Sequence, residues 1–129
     1  MDPYDSPMPR FVVLRHETPT GYARGAHFDL MLEHDGVLRT WAMDKMPAPG
    51  DAIAAERLPD HRRMYLDYEG EVKGERGHVS RIDAGTYDAM EETATAIVVR
   101  LHGERLRGTL TFAQDEKEPH RWRVSLSPG

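Results

Sequence analysis

The chain contains no cysteine among its 129 residues, which excludes disulfide bonds and thiolate metal sites. It also lacks any apolar run near the ~20 residues that a membrane-spanning helix requires. The opening MDPYDSPMPR is polar and rich in proline, so we expect no signal peptide. These absences predict a soluble, cytoplasmic protein that does not associate with membranes.

An excess of basic residues is also absent. Seventeen Lys and Arg stand against 22 Asp and Glu, which gives a formal net charge of −5. Non-specific nucleic-acid binding depends mainly on cations that meet phosphates, so the composition disfavours a general nucleic-acid coat. Local recognition remains open, because Arg62, Arg63 and the segment 73–81 concentrate cations, and a bound metal ion would add positive charge.

No segment has the periodicity of a long helix. Short β-rich segments divided by glycine and proline predict a mainly β protein, a single compact β-barrel of about six to eight short strands with few short helical turns. Residues 1–10 are expected to form a proline-rich tail, residues 11–129 the barrel domain, and the protein a monomer. Strands are expected at 11–15, in a hairpin over 26–43, and at 64–72, 78–82, 93–102, 105–113 and 121–126. Residues 52–58 fit a strand or one to two helical turns, and 83–85 are expected to turn the chain.

The hairpin is the centre of the functional prediction. Phe28, Leu30 and Leu32 alternate with polar residues, as in a half-buried strand, and Asp35-Gly36 suits a tight turn. His27 and Asp29 therefore share the opposite face and could hold one cation. His16, at the end of the preceding predicted strand, is the nearest candidate for a third ligand. Such a site would suit manganese, iron or zinc better than calcium or magnesium. The alternative is that the pair only hydrogen-bonds on a solvated sheet face.

His61 and Tyr65 form a second group that can transfer protons. Four residues apart, they share a face in a helical turn and also in an extended segment. The alternative is a polar loop with a half-buried tyrosine. Of the other histidines, His34 and His120 are expected at the surface, His102 in a structural role, and His78 is undecided.

Several motifs in register resemble the 3′-phosphoesterase domain of bacterial DNA ligase D. The run HFDLMLEHDGVLRTWAMDK is similar to the family's His-Tyr-Asp-Phe-Arg-Leu-Glu strand, followed by Asp-Gly-Val-Leu and Ser-Trp-Ala. FVVLRHETP, DHRRMYLDYEGEV, IDAGTYD and LHGERLRGTLTF resemble further family segments in the same order. The resemblance extends from about residue 11 to residue 126.

The resemblance implies a β-barrel enzyme that trims the 3′ ends of DNA with a divalent metal, most often Mn²⁺, although Zn²⁺ or another transition metal remains open. Its expected substrates are DNA or RNA-tipped DNA 3′ ends, from which it would remove a ribonucleoside or a phosphate in repair. A separate ligase or polymerase is a possible partner. By the same resemblance His16, His27 and Asp29 match metal ligands, and His61 and Tyr65 match the residues that engage the phosphate.

Two departures from the family pattern remove polar groups from the phosphate-binding part of the motif. Met31 stands where the family has an arginine, which can hold two phosphate oxygens as a thioether cannot. Leu14 replaces a glutamine, and the family's N-terminal polar arm has no match before residue 11. Basic residues that could compensate are Arg15, Arg24, Arg39 and Arg62. A non-catalytic module that binds metal and nucleic-acid ends is therefore an alternative, as is a small iron-dependent oxygenase, whose ligand pattern His27-x-Asp29 with a distant histidine imitates.

Overall fold

A computed structural model describes residues 8–22 and 24–128 of the chain. The predicted tail lies largely outside this part, and the first strand begins at Arg10. The nine strands of the described chain are β1 (Arg10–Glu17), β2 (His27–His34), β3 (Val37–Met43), β4 (Ala52–His61), β5 (Gly70–Glu71), β6 (His78–Glu92), β7 (Ala96–Gly103), β8 (Arg107–Gln114) and β9 (Arg121–Ser127). A 3-10 turn, Arg63–Leu66, lies between β4 and β5.

Eight of these strands close an antiparallel barrel. Their order is β1-β2-β3-β4-β9-β8-β7-β6, and β6 returns to pair with β1. The long strand β6 makes this closure possible, since its first part pairs with β1 and its second part with β7. The two-residue β5 pairs with the start of β6, beyond the reach of β7. The predicted barrel is confirmed, with eight closing strands and one short accessory strand.

The barrel interior is filled by the apolar side chains that alternate along each strand. Trp41 packs there against Phe112, with ring centroids 4.4 Å apart, and against Trp122 at 5.7 Å. Other interior side chains from all sides of the barrel include Phe11, Val13, Leu30, Leu32, Tyr87, Val99, Leu110 and Val124. This core fixes the strands that carry the candidate site.

A second apolar cluster lies outside the barrel, on the outer face of β1 and β2. Leu14 and Met31 pack there beneath Leu66 of the 3-10 turn and Val72. Both faces of β2 are consequently buried, so the prediction of a half-buried strand is wrong, as is the alternative that His27 and Asp29 lie on a solvated sheet face. The reason is the segment between β4 and β6, which crosses the outside of the barrel and covers the polar face of the hairpin.

Two local predictions are also corrected. Residues 83–85 were expected to turn the chain, but they continue β6. The Asp83 carboxylate is buried and accepts four backbone N–H bonds, from Ala84 and from residues 104–106 of the β7–β8 connection. The predicted strand 64–72 is instead the 3-10 turn followed by β5, and the ambiguous segment 52–58 belongs to β4.

Gly85 has a packing role in this part of β6. A Cβ atom at this position would lie 2.1 Å from the His102 carbonyl oxygen. Only glycine lets the two backbones approach this closely, so the Asp-x-Gly motif is explained by barrel closure.

Among the described residues, no helix has the length and apolar composition needed to cross a membrane.

Candidate functional site

His16, His27 and Asp29 lie together where β1 and β2 are paired. The antiparallel register places His16 directly opposite His27, and Asp29 follows two residues later on the same face. One potential ligand atom from each residue lies within 4.8 Å of the other two. His27 Nε2 is 3.1 Å from Asp29 Oδ1, and His16 Nδ1 is 3.7 Å from Asp29 Oδ2. The structure therefore brings the three predicted metal ligands together.

Backbone carbonyls fix the tautomers of both imidazoles. His27 Nδ1–H donates to the Gly25 carbonyl at 2.8 Å, and His16 Nε2–H donates to the Arg76 carbonyl at 2.7 Å. A carbonyl oxygen can only accept, so in the neutral rings His27 Nε2 and His16 Nδ1 carry lone pairs. Both nitrogens face the Asp29 carboxylate, which also can only accept. Such second contacts are what orient imidazole ligands in metal sites.

Asp29 Oδ1 is buried and receives no hydrogen bond from the described residues, although His27 Nε2 is close. A buried acceptor without a donor is costly unless a cation or a proton satisfies it. Two imidazole nitrogens and a carboxylate suit a first-row transition-metal ion such as Mn²⁺ or Zn²⁺. The donor set and the orphaned oxygen fit a divalent metal ion.

The pKa values of Asp29 and His16 both shift in the direction that favours positive charge at this site. Burial raises the pKa of Asp29, but the two neighbouring imidazoles outweigh it and lower the pKa from 3.8 to about 2. The Asp29 carboxylate raises the pKa of His16 above its usual 6.5, against a smaller opposing effect of burial. Without a metal, a proton shared by His16 and Asp29 would partly neutralise the carboxylate.

The three residues line a cavity of about 260 Å³ on the outer face of the barrel. His61, at the end of β4, and Tyr65, in the 3-10 turn, line the same cavity, with ring centroids 5.9 Å apart and planes at 69°. His61 Nδ1–H donates to the Pro59 carbonyl at 2.8 Å, which leaves Nε2 as its second proton-transfer atom. All five predicted site residues thus border one cavity, while their chemical roles stay predictions.

Two arginines also border this cavity. Arg24 lies on the β1–β2 connection and is ion-paired with Glu56, and Arg76 lies on the turn before β6. Of the other candidates, Arg15 points away and stacks over Phe28 at 4.8 Å. Arg24 was among the predicted compensating residues, whereas Arg76 was missed.

The other two predicted arginines lie elsewhere. Arg39 is paired with Glu92 at 3.0 Å, and Arg62 borders a neighbouring groove. The sequence signal for Arg76 was the basic segment 73–81, which the charge pattern related only to local nucleic-acid recognition. Sequence could not show that its carbonyl holds His16 in place.

The positions that depart from the family pattern form the apolar wall of the cavity. Leu14 is fully buried and Met31 is 1% exposed, and both pack in the outer cluster with Leu66 and Val72. Leu14 and Met31 therefore contribute apolar packing and no charged group to this wall.

Comparison of the sequence with known proteins finds one matching family and several relatives. The family model described as the DNA Ligase D 3′-phosphoesterase domain matches residues 16–114, which include all five predicted site residues. A multifunctional non-homologous end joining protein LigD of Mycobacterium bovis is 35% identical over 107 residues, covering 76% of this chain and 13% of that protein. Proteins with the same description are 33% identical over 124 residues in Mycolicibacterium smegmatis and 31% identical over 121 residues in Pseudomonas aeruginosa. The aligned regions are 15% and 13% of those proteins, so the similarity concerns one part of much longer chains.

Proposed function

Because this chain belongs to the DNA ligase D 3′-phosphoesterase family, as its motifs predicted, we propose that it is a metal-dependent phosphoesterase that processes the 3′ ends of DNA. Its proposed reactions are removal of a 3′-phosphate and of a 3′-ribonucleoside, in DNA repair. The relatives named for non-homologous end joining support a repair role. The observation that carries the proposal is buried Asp29 Oδ1, which has no hydrogen-bond donor among the described residues and lies 3.1 Å from His27 Nε2 beside a cavity, with His16 Nδ1 3.7 Å from the other carboxylate oxygen.

The proposed metal ligands are His16 Nδ1, His27 Nε2 and an Asp29 oxygen. Mn²⁺ is the preferred ion, and Zn²⁺ also suits the donor set. When bound, such an ion would polarise a phosphoryl oxygen and lower the pKa of a bound water. The carbonyls of Gly25 and Arg76 accept from the other nitrogen of each ring and so hold both rings in the required tautomer.

His61 and Tyr65 are the proposed proton-transfer and phosphate-contacting groups. In hydrolysis of a 3′-phosphate, water adds to phosphorus, the bond from phosphorus to the 3′ oxygen breaks, and inorganic phosphate and a 3′-hydroxyl result. His61, held through Nδ1, can accept the proton of the water at Nε2 and pass it to the departing 3′ oxygen. The Tyr65 hydroxyl can donate to a phosphoryl oxygen as its charge develops.

Arg24 and Arg76 are the proposed substitutes for the arginine that the family has at position 31. Both residues line the cavity that His16, His27 and Asp29 also line, together with the apolar Leu14 and Met31. A bound phosphate would compete with Glu56 for Arg24. Two loop arginines can thus supply the charge-assisted contacts that one strand arginine supplies in relatives.

The test uses purified protein, Mn²⁺ and a DNA primer-template with a 3′-phosphate. We expect release of inorganic phosphate, and His27→Ala should abolish it because one ligand is lost. His34→Ala is the matched control, since His34 is 39% exposed and paired with Asp35 and Glu92 outside the cavity. Absence of release at high enzyme concentration, with bound metal confirmed, would overturn the catalytic proposal.

A non-catalytic module that binds metal and 3′ ends is the second candidate. The apolar wall at Met31 favours it, because loss of one preorganised cationic donor commonly costs about 10²–10³ in rate. Binding of 3′-phosphate ends without turnover would identify this function. In either case the proposed setting is the cytoplasm, alongside a separate ligase or polymerase.

A further inference from the structure

A second groove of about 540 Å³ adjoins the metal-site cavity. The two share four residues, Leu58, His61, Tyr65 and Arg76. Beyond this junction the groove continues along the 3-10 turn and the turn before β6. One extended ligand could therefore occupy both spaces, with its end at the metal ligands.

The groove has a local charge opposite to that of the chain. Arg62, Lys73 and Arg76 border it, together with the carboxylates of Asp60 and Glu71. Asp60 is already paired with Arg57 at 2.9 Å, so the cations outweigh the free carboxylates. In a chain of net charge −5, this concentration of cations favours a polyanion in this groove.

The groove also offers aromatic surface. Tyr68 is half-buried and lies at 88° to the Tyr65 ring, with centroids 5.8 Å apart. Its hydroxyl donates to the Glu71 carbonyl, which holds the ring in place. Met64, 49% exposed, borders the groove beside it. Fixed aromatic rings beside cations are the features with which proteins bind single-stranded nucleic acid.

We propose that this groove binds the unpaired nucleotides that precede the 3′ end of the substrate strand. A base stacks on Tyr68, and the phosphodiesters lie along Lys73 and Arg62. The inference rests on the proposed function for the direction of the strand, whose terminal group enters the metal-site cavity past Arg76. It adds that the substrate is a frayed or single-stranded end, bound without preference for the base.

The test is fluorescence anisotropy with a short single-stranded oligodeoxynucleotide ending in a 3′-hydroxyl, measured in EDTA. Under these conditions neither metal nor turnover contributes to binding. Tyr68→Leu should weaken binding by roughly tenfold, since loss of base stacking has effects of this order. Tyr68→Phe keeps the ring but loses the hydrogen bond to the Glu71 carbonyl, so it should bind more tightly than Tyr68→Leu and somewhat less tightly than wild type. Lys73→Ala should lower the slope of log affinity against log salt by about 0.7, the value for one phosphate contact on a single strand.

Lys117→Ala is the matched control, because Lys117 lies on the β8–β9 connection and does not border the groove. A blunt duplex of the same sequence should bind more weakly than the single strand. Equal affinities of wild type, Tyr68→Leu and Lys73→Ala, or a preference for the blunt duplex, would overturn the inference. If groove variants weaken binding while wild type with Mn²⁺ releases no phosphate, the proposed catalysis fails and the groove assignment stands.

Discussion

Replacement of Asp29 by asparagine is the sharpest test of the proposed metal centre. The side chain is 3% exposed, and the two amino acids are nearly equal in size, so the change alters charge more than packing. It removes the proposed anionic ligand beside His16 and His27 and leaves both imidazoles hydrogen-bonded to their carbonyls. The expected result is a protein that folds but no longer gains stability from Mn²⁺.

The magnitude follows from ligand linkage. A metal at 100 times its dissociation constant stabilises the folded state by about 2.7 kcal/mol. For a chain of this length, about 1 kcal/mol corresponds to roughly 4 °C in Tm, so the wild type should gain about 10 °C. If loss of the carboxylate weakens binding about a hundredfold, the same Mn²⁺ concentration gives only about 0.4 kcal/mol, or roughly 2 °C.

The assay is thermal unfolding of each protein with and without Mn²⁺, and the difference between the two Tm values is the readout. Measuring this increment separates metal binding from any change in the stability of the metal-free variant. Asp35→Asn, at an exposed carboxylate paired with His34, is the control and should keep the full increment. An equal increment in Asp29→Asn and wild type would refute the assignment of this residue as a ligand.

Three further predictions concern the surroundings of the site. Met31→Arg should lower stability by several kcal/mol, because a charge enters an apolar cluster, and it should not raise phosphate release if Arg24 and Arg76 bind the phosphate. Met31→Leu is the control in thermal unfolding and in phosphate-release assays. Faster phosphate release by the arginine variant would contradict the assignment of Arg24 and Arg76. His16 has a raised pKa, so its protonation stabilises the metal-free protein fully below pH 6.5, and this stabilisation is lost as the pH rises through the pKa of His16 in the folded state. Mn²⁺ competes with the same proton for His16. The affinity of the protein for Mn²⁺, measured by calorimetry, should therefore increase with pH over this range. A flat affinity profile would count against His16 as a ligand. Asp83→Ala should lower the free energy of unfolding by about 3 kcal/mol or more in denaturant titrations, because four backbone donors lose their acceptor. Asp88→Ala, at an exposed carboxylate, is the control. If both variants lose equally little stability, the four donors find other partners.

Much of the fold could be predicted from the sequence because strand alternation and turn chemistry depend on neighbouring residues. Alternation in β2 and the Asp35-Gly36 turn located the hairpin, and Asp35 and Gly36 both have the positive φ angles that this turn requires. The predicted turn at 83–85 failed because small and polar residues are typical of turns. Here Asp83 binds backbone donors more than 20 positions away, and Gly85 allows a close strand contact.

The candidate site, like the fold, was predictable where it depends on neighbouring residues and not where it depends on distant segments. The order of motifs and the spacing His27-x-Asp29 were enough to identify the family and to select the three ligand candidates. The apolar character of Met31 was visible, but its meaning was not, since the covering segment comes from a distant part of the chain. Arg76 was missed because its role depends on which strand its turn happens to face.

By itself the sequence determined the β-barrel class, the family and the five residues that border one cavity. Only the tertiary structure decided how they are arranged: the β1–β2 register sets His16 opposite His27, and two loop carbonyls fix the tautomers. The physical reason is range. Alternation and turn chemistry are properties of adjacent residues, whereas ligand geometry, burial of the polar hairpin face and the path of the groove depend on contacts between segments far apart in the chain.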